Sequence, residues 1–167
     1  TKEGSYNILL NKVDEEGNGV SGAVFTVVET DTNAKDATDK IESPVTSNGS
    51  AIEIVNKQIL EATYGTEDTF TITETTAPGG YFKLKDPITV KVEKASVAEG
   101  YEVSKFYVND QEVETNGLTL SNIEVIDSDK KVEITATVNN NTLTVVVSNA
   151  TKEGSYNILL NKVDEEG

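Results

Sequence analysis

The 167-residue chain contains no Cys, His, Met or Trp, and its 14 basic residues are all lysine. Without Cys and His it lacks the usual ligands of a structural zinc site and the thiol and imidazole groups of common nucleophilic catalysts. No apolar run approaches the length of a membrane span, and these residues show no signal peptide or anchoring motif. We therefore expect no metal, no cofactor and no membrane insertion by this segment.

The charge balance is strongly acidic, with a formal net charge of −15 and a pI of about 4.3. Nucleic-acid binding requires a basic surface and usually arginine side chains, so a nucleic-acid partner is disfavoured. A solvated, self-repelling surface that keeps crowded modules soluble is the simpler interpretation of the acidity.

An internal repeat is present: residues 1–17, TKEGSYNILLNKVDEEG, return unchanged as residues 151–167. We interpret residues 1–150 as one complete repeat and residues 151–167 as the first strand of the next. A unit of 150 residues is long enough for one domain with a sizeable core. Faithful tandem arrays favour extension or binding over enzymatic turnover.

Short alternating apolar runs predict an all-β fold. The first half contains predicted strands at residues 5–13, 22–28, 51–55, 69–74 and 88–92. Asp14 to Gly19 is predicted to be a turn, and the polar residues 29–49 a long loop or a weak edge hairpin.

After Gly100 the pattern predicts shorter strands, at residues 105–108, 111–113, 118–120 and 123–126. Residues 132–138 and 142–148 are predicted to form a hairpin over Asn139–Asn141. The second half could be a separate small subdomain. Because no Pro- or Gly-rich linker marks a boundary, we expect one immunoglobulin-like β-sandwich with an elaborated second half.

Three polar residues share strand faces with apolar neighbours. Lys12 alternates with Tyr6, Ile8 and Leu10; Glu74 alternates with Phe70 and Ile72; and Asn149 alternates with Val145 and Val147. Side chains two residues apart in a strand point the same way, so all three are predicted to face the core. Burying three polar groups singly is costly, and it becomes reasonable if they meet.

Three segments resemble a known family: NKVDEEGNGVSGAVFTV at residues 11–27, ITETTAPGGYF at 72–82, and TVVVSN at 144–149. Together they resemble the Cna B-type, SpaA-like (prealbumin-like) domains of Gram-positive surface adhesins and pilins. The resemblance covers roughly residues 5–30, 69–92 and 142–149, while residues 95–140 are longer than the family's usual pattern.

The resemblance implies an intramolecular isopeptide bond between Lys12 and Asn149, with Glu74 as the assisting acid. The chemistry is physically reasonable, because burial in an apolar core favours a neutral amine and a protonated carboxylic acid. Neutral Lys12 could attack the Asn149 carboxamide while Glu74 passes a proton to the departing ammonia. An ordinary snorkelling lysine and a solvent-facing glutamate are the alternatives.

Lys162, the second copy of Lys12, is expected to keep its amine. Nothing after it in this sequence supplies an asparagine, and a return to Asn149 as a parallel neighbour would need a longer crossover. Residues 151–167 could be disordered, pack on the end of the domain, or pair with another molecule's edge.

Competing sites are weaker. Asp14, Glu16 and Asn18 imitate the start of a calcium loop, but Phe25 stands where a bidentate carboxylate is required. Asp127 and Asp129 could flank a cation, although a charged turn is the simpler interpretation. A Thr-to-Gln ester cross-link would have only Gln58 and Gln111 to use, and the sequence contains no His to assist it. Asn139–Asn141 could supply another amide, but they are predicted to lie in a turn exposed to water.

The resemblance implies a structural stalk repeat of a cell-wall-anchored adhesin or pilus-like protein, extracellular, with adjacent repeats as partners. The alternative is an adhesin module that binds a host protein or glycan through residues 29–49 or 95–140. An exposed aromatic cluster of Tyr101, Phe106 and Tyr107 would favour binding. An enzyme comes third, because apart from a single self-cross-linking event the sequence offers no nucleophile.

Overall fold

The computed structural model describes residues 4–30, 39–59, 67–97 and 100–151. Within these ranges the chain forms strands only, with the bounds that follow. They are β1 Ser5–Val13, β2 Ser21–Glu29, β3 Asp39–Ile41, β4 Val45–Asn48, β5 Ile52–Gln58, β6 Glu67–Thr76, β7 Ile88–Val97, β8 Gly100–Val108, β9 Gln111–Glu112, β10 Leu118–Glu124, β11 Lys131–Asn139 and β12 Thr142–Ser148. This part of the chain includes no helix long and apolar enough to cross a membrane.

The strands form two six-stranded sheets that pack as a sandwich. The first sheet has the order β10-β11-β12-β1-β5-β3, and the second has the order β4-β2-β6-β7-β8-β9. Neighbouring strands are antiparallel, except that β1 and β12 run parallel side by side. The all-β sandwich predicted from the sequence is confirmed, and the strands of the second half extend both sheets.

Alternation of side chains between core and solvent explains the layers. In β1, β6 and β12 every second residue is buried, which is the period expected of strands with one face on a core. Apolar side chains from both sheets make up one core, to which β1 contributes Tyr6, Ile8 and Leu10 and β12 contributes Leu143, Val145 and Val147.

The predicted hairpin of β11 and β12 is confirmed. Asn139 pairs with Thr142, and the two residues between them, Asn140 and Asn141, have positive φ values of 52° and 62°. A two-residue loop of this kind matches the twist of the flanking strands, and asparagine tolerates it better than most residues do.

Two local predictions are wrong. Residues 29–49 do not form a hairpin in their described part, because β3 pairs with β5 in the first sheet and β4 pairs with β2 in the second. Val45 and Ser47 face the core and hold β4 against β2, where the Ala23 N–H donates to Ser47 Oγ at 2.9 Å. The strands after residue 100 are not all short either. Strand β8 runs from Gly100 to Val108 and pairs along this length with Val90–Val97 of β7.

The turn between β1 and β2 is confirmed and is closely packed. Asp14 Oδ1 accepts hydrogen bonds from the N–H groups of Glu16 and Asn18, at 2.8 and 2.9 Å. Gly19 is needed at its position, because a Cβ atom there would lie 2.0 Å from the carbonyl oxygen of Gly49. The turn thus fixes the end of the sandwich where Lys12 lies.

Candidate self-cross-linking site

The three residues predicted to meet are all buried at one end of the sandwich, which we call the Lys12 end. Lys12 lies near the end of β1, Glu74 near the end of β6, and Asn149 directly after β12. Their exposed fractions are 1%, 3% and 1%. The prediction that they face the core is confirmed.

Strand register places Lys12 and Asn149 on neighbouring strands. In the parallel pair of β1 and β12, Lys12 is opposite Val147, and Asn149 follows two residues later on the same face. They are therefore diagonal neighbours, at a separation that a lysine side chain can span. Glu74 approaches from the second sheet, across the core.

The Glu74 carboxyl group is held in a defined orientation. Its Oε1 accepts a hydrogen bond of 2.8 Å from the Leu84 N–H, and its Oε2 lies 3.2 Å from Lys12 Nζ. One oxygen is thus anchored to the loop that follows β6, while the other is presented to the amine.

Polar atoms at this site lack the hydrogen bonds that buried groups normally make. Of the five buried side-chain N and O atoms without a hydrogen bond in the described part of the chain, four are Lys12 Nζ, Glu74 Oε2, and Nδ2 and Oδ1 of Asn149. The 3.2 Å contact of Lys12 with Glu74 is close enough for an ion pair but lacks hydrogen-bond geometry. Each buried unsatisfied group costs about 1–3 kcal/mol, so their concentration here requires a reason.

Burial also changes the acid–base state of Lys12. Removal from water lowers the pKa of its ammonium group, and the nearby Glu74 opposes that shift only in part. Lys12 Nζ lies 5.8 Å from the centre of the Phe25 ring, which forms part of its apolar surroundings. The lowered pKa makes the neutral, nucleophilic form of the Lys12 amine easier to reach at the end of the sandwich where Glu74 and Asn149 are also buried.

Lys12 borders a small cavity. The cavity that borders it measures about 10 Å³, at the lower limit for a single water molecule. Its lining comprises Leu10, Lys12, Phe25, Val45, Ser47 and Ile52.

The exposed aromatic cluster that would favour binding is not found among the described side chains, whereas the predicted charged turn is. Phe106 is a core residue, and Tyr107 is half-buried with Lys91 Nζ 4.4 Å from its ring centre, so these two residues do not form an exposed aromatic cluster. Ser128 Oγ accepts a hydrogen bond from the Lys130 N–H, in a charged turn as expected. Lys162 lies outside the described residues, so its free amine stays a prediction.

The sequence analysis missed a second buried polar cluster, at the opposite end of the sandwich, which we call the Tyr6 end. Asp68 is 1% exposed and accepts hydrogen bonds from Tyr6 Oη at 2.5 Å and from Lys94 Nζ at 3.0 Å. Lys57 Nζ lies 3.6 Å from Asp68 and donates to Glu29 at 2.6 Å. Each buried charge in this cluster contacts an opposite charge.

Strand parity could have revealed two members of this cluster. Asp68 has the same parity as Phe70, and Lys94 the same as Val92, just as Glu74 has the same parity as Ile72. The signal was present, but no family motif drew attention to it.

The described strands thus form a two-sheet sandwich whose first and last strands run parallel, with Lys12, Glu74 and Asn149 buried at one end. The family model described as SpaA, prealbumin-like fold domain, matches residues 6–106, more than half of the chain. The chain belongs to this family. The match includes Lys12 and Glu74 and ends before Asn149, so the sequence comparison does not extend to the third residue of the site.

Solved structures agree on the fold. The pilus adhesin SpaC from Lactobacillus rhamnosus GG is 18% identical over 90% of this chain and 15% of that protein, with a TM-score of 0.55. A C-terminal fragment of the same adhesin is 18% identical over 89% of this chain and 45% of the fragment, with a TM-score of 0.54. The chain thus spans less than half the length of these structures. None of the curated proteins matches the sequence.

Proposed function

We propose that this chain is a structural stalk repeat of a Gram-positive surface adhesin or pilus-like protein, stabilised by an autocatalytic isopeptide bond between Lys12 and Asn149. The observation that carries the proposal is the set of buried atoms without a hydrogen bond on Lys12, Glu74 and Asn149. Formation of an amide between Lys12 and Asn149 removes the amine and the carboxamide as separate polar groups and leaves Glu74 beside the new bond.

The reaction balances without any external reagent. Neutral Lys12 Nζ attacks Cγ of Asn149 and forms a new C–N bond, and the bond from Cγ to Nδ2 breaks. Glu74 Oε2 donates a proton to the departing nitrogen and recovers one from the attacking amine, so one ammonia leaves and Glu74 is regenerated. The folded sandwich holds the reactants together and thereby replaces a bimolecular encounter.

The position of the bond has a mechanical consequence. A pulling force applied at the two ends of the domain enters along β1, crosses the amide from Lys12 to Asn149, and leaves directly after β12. Residues 13–148 then lie outside the path of the force and cannot be extended. The module would act as an inextensible link in a surface stalk, with adjacent repeats as its immediate partners.

Single-molecule pulling on the full chain tests this function. The wild-type chain is expected to show no unfolding step before the attachments fail. The Lys12→Ala variant should instead release residues 13–148, a length on the order of 400 Å. A wild-type chain that releases this length at ordinary forces would contradict the proposal.

The proposed setting follows from the repeat and the family. Residues 151–167 would open another repeat, and the domain would lie outside the cell in a protein attached to the wall through parts beyond this segment. Cross-linking occurs once per domain, so the site makes a structural bond and is not an enzyme that turns over. SpaC, whose fold this chain shares, is described as a pilus adhesin, in keeping with a place in a surface assembly.

A further inference from the structure

We infer that the Lys12 end of each module is a docking surface for the next module of the same array, which makes the junction between repeats rigid. The inference rests on the proposal that residues 151–167 open another repeat. Its own evidence comes from Thr151, from the length of the linker that follows, and from a groove beside the point where the chain leaves the domain.

Thr151 is bound to three different segments of the Lys12 end. It forms a β-bridge with Tyr81, its carbonyl oxygen accepts a hydrogen bond from Lys130 Nζ at 2.5 Å, and its hydroxyl donates to Glu15 at 2.5 Å. The preceding residue is also fixed, because the Phe82 N–H donates to the Ala150 carbonyl oxygen at 3.0 Å. The domain therefore holds its chain as far as Thr151.

The described module holds its chain from Gly4 onward. Gly4 lies directly before β1, and its carbonyl oxygen accepts a hydrogen bond of 2.8 Å from the Ile59 N–H. Gly154 is the copy of Gly4 in the repeated sequence. If it is bound in the same way, Lys152 and Glu153 are the only linker residues, and the two fixed points are at most about 11 Å apart.

A linker of this length brings the two modules into contact. Each module is a two-layer sandwich with sheets about 10 Å apart, so its end is at least as wide as the linker is long. Two such ends joined at this distance must touch beside the linker. A flexible hinge between separated domains would need a longer segment.

The surface next to Thr151 is suited to such a contact. An open groove of about 510 Å³ lies between residues 75–83 and the pair Ile126 and Asp127. Ile126 is 36% exposed and is one of two large hydrophobic residues in the described ranges that are open to solvent; the other is Val28. The Ile126 N–H donates to the Lys83 carbonyl oxygen, which holds this exposed side chain at the edge of the groove.

A two-module protein tests the inference: residues 1–150 followed by residues 1–167, so that the natural junction is reproduced. Because the chain lacks cysteine, Glu112→Cys in each module provides two unique positions for spin labels, both on exposed residues. We expect a single narrow distribution of label-to-label distances by pulsed electron paramagnetic resonance. Insertion of about ten Gly and Ser residues after Glu153 should broaden it severalfold.

The matched control is one substitution in two places. Ile126→Asp in the first module lies at the junction and should broaden the distribution, whereas Ile126→Asp in the second module, which no complete module follows, should leave it narrow. A native tandem as broad as the insertion variant would overturn the inference, and so would equal effects of the two substitutions. Loss of two ammonia molecules, measured on the same samples, reports the proposed cross-links separately from docking.

Discussion

The two ends of the sandwich each bury lysine beside a carboxylate, and strands β1 and β6 contribute to both ends. β1 supplies Tyr6 at one end and Lys12 at the other, while β6 supplies Asp68 and Glu74 with the same spacing. The two sites are about 20 Å apart along each strand. Lysine and a buried carboxylate therefore occur in two different arrangements, with Lys57 of β5 and Lys94 of β7 as the lysines of the Tyr6 end.

At the Tyr6 end both Asp68 oxygens accept hydrogen bonds and each lysine contacts a carboxylate. At the Lys12 end the contact with Glu74 is poorly oriented and the Asn149 carboxamide has no hydrogen-bond partner among the described residues. Under the proposed mechanism, burial alone does not make a lysine reactive. A satisfied cluster is a stable end point, whereas an unsatisfied one can be relieved by reaction.

The largest expected effect comes from preventing the bond while keeping the shape of the site. Glu74→Gln preserves an oxygen for the Leu84 N–H but cannot donate an acidic proton, so the chain should fold without cross-linking. By analogy with disulfides, loss of a loop closed between residues 12 and 149 should lower the free energy of unfolding by about 4–5 kcal/mol. Urea denaturation measures the difference.

A background control separates the bond from the side chain. In a chain that already carries Lys12→Ala, adding Glu74→Gln should change the free energy of unfolding much less than it does in the wild type. If Glu74→Gln cross-links at the normal rate, Glu74 is not the acid that assists the reaction.

The next effect tests the satisfied cluster. Asp68→Ala leaves Lys57 and Lys94 buried beside a missing carboxylate, which should lower the free energy of unfolding by about 3–5 kcal/mol. The cross-link at the other end should still form, so the mass of the folded variant should still show one lost ammonia. A destabilisation below about 1 kcal/mol would mean that the Tyr6 end does not depend on its ion pairs.

The pH dependence of stability tests the acid–base state of the Lys12 amine. Asn149→Ala keeps the Lys12 amine unreacted, and burial lowers its folded pKa below the ordinary value of 10.5. Between those two pKa values the unfolded chain binds more protons than the folded chain does. The free energy of unfolding should therefore rise with pH across that window, by at most about 1.4 kcal/mol per pH unit, and this stability is lost as pH falls through the folded pKa.

The control for this pH dependence is the double variant Lys12→Ala, Asn149→Ala, which should lack that part of the slope. If stability depends on pH with the same slope in the two proteins, burial does not lower the pKa of Lys12. The same shift predicts that bond formation in freshly folded wild-type protein accelerates with rising pH, as more Lys12 becomes neutral.

The smallest effect is expected for a surface pair. Lys85 and Glu124 are 3.4 Å apart, with side chains 58% and 49% exposed. Lys85→Ala should change the free energy of unfolding by no more than about 1 kcal/mol, because water and salt screen the pair. A larger loss would indicate that charge pairs stabilise this protein irrespective of burial.

Local periodicity accounts for what could be predicted. Alternation within single strands was enough to place Lys12, Glu74 and Asn149 in the core, because the direction of a side chain in a strand depends only on its parity. Whether Lys12 and Asn149 are joined stays a prediction.

The rest depends on how distant segments meet. Lys57 is opposite Tyr6 in the pairing of β1 with β5, whose register shifts between Ile8 and Leu9, and the Leu84 N–H reaches Glu74 through the loop after β6. Residues 39–48 divide between two sheets because β3 pairs with β5 and β4 pairs with β2. The alternation of apolar and polar residues within these short strands does not determine those partners.

The most direct measurement is the intact mass of the freshly purified, folded chain. A Lys12–Asn149 bond lowers the mass below the calculated value by a single ammonia. Fragmentation should place this deficit between Lys12 and Asn149, with Lys162 unmodified. The Lys12→Ala and Asn149→Ala variants should lack the deficit. A folded wild-type chain of full calculated mass would contradict the proposed bond.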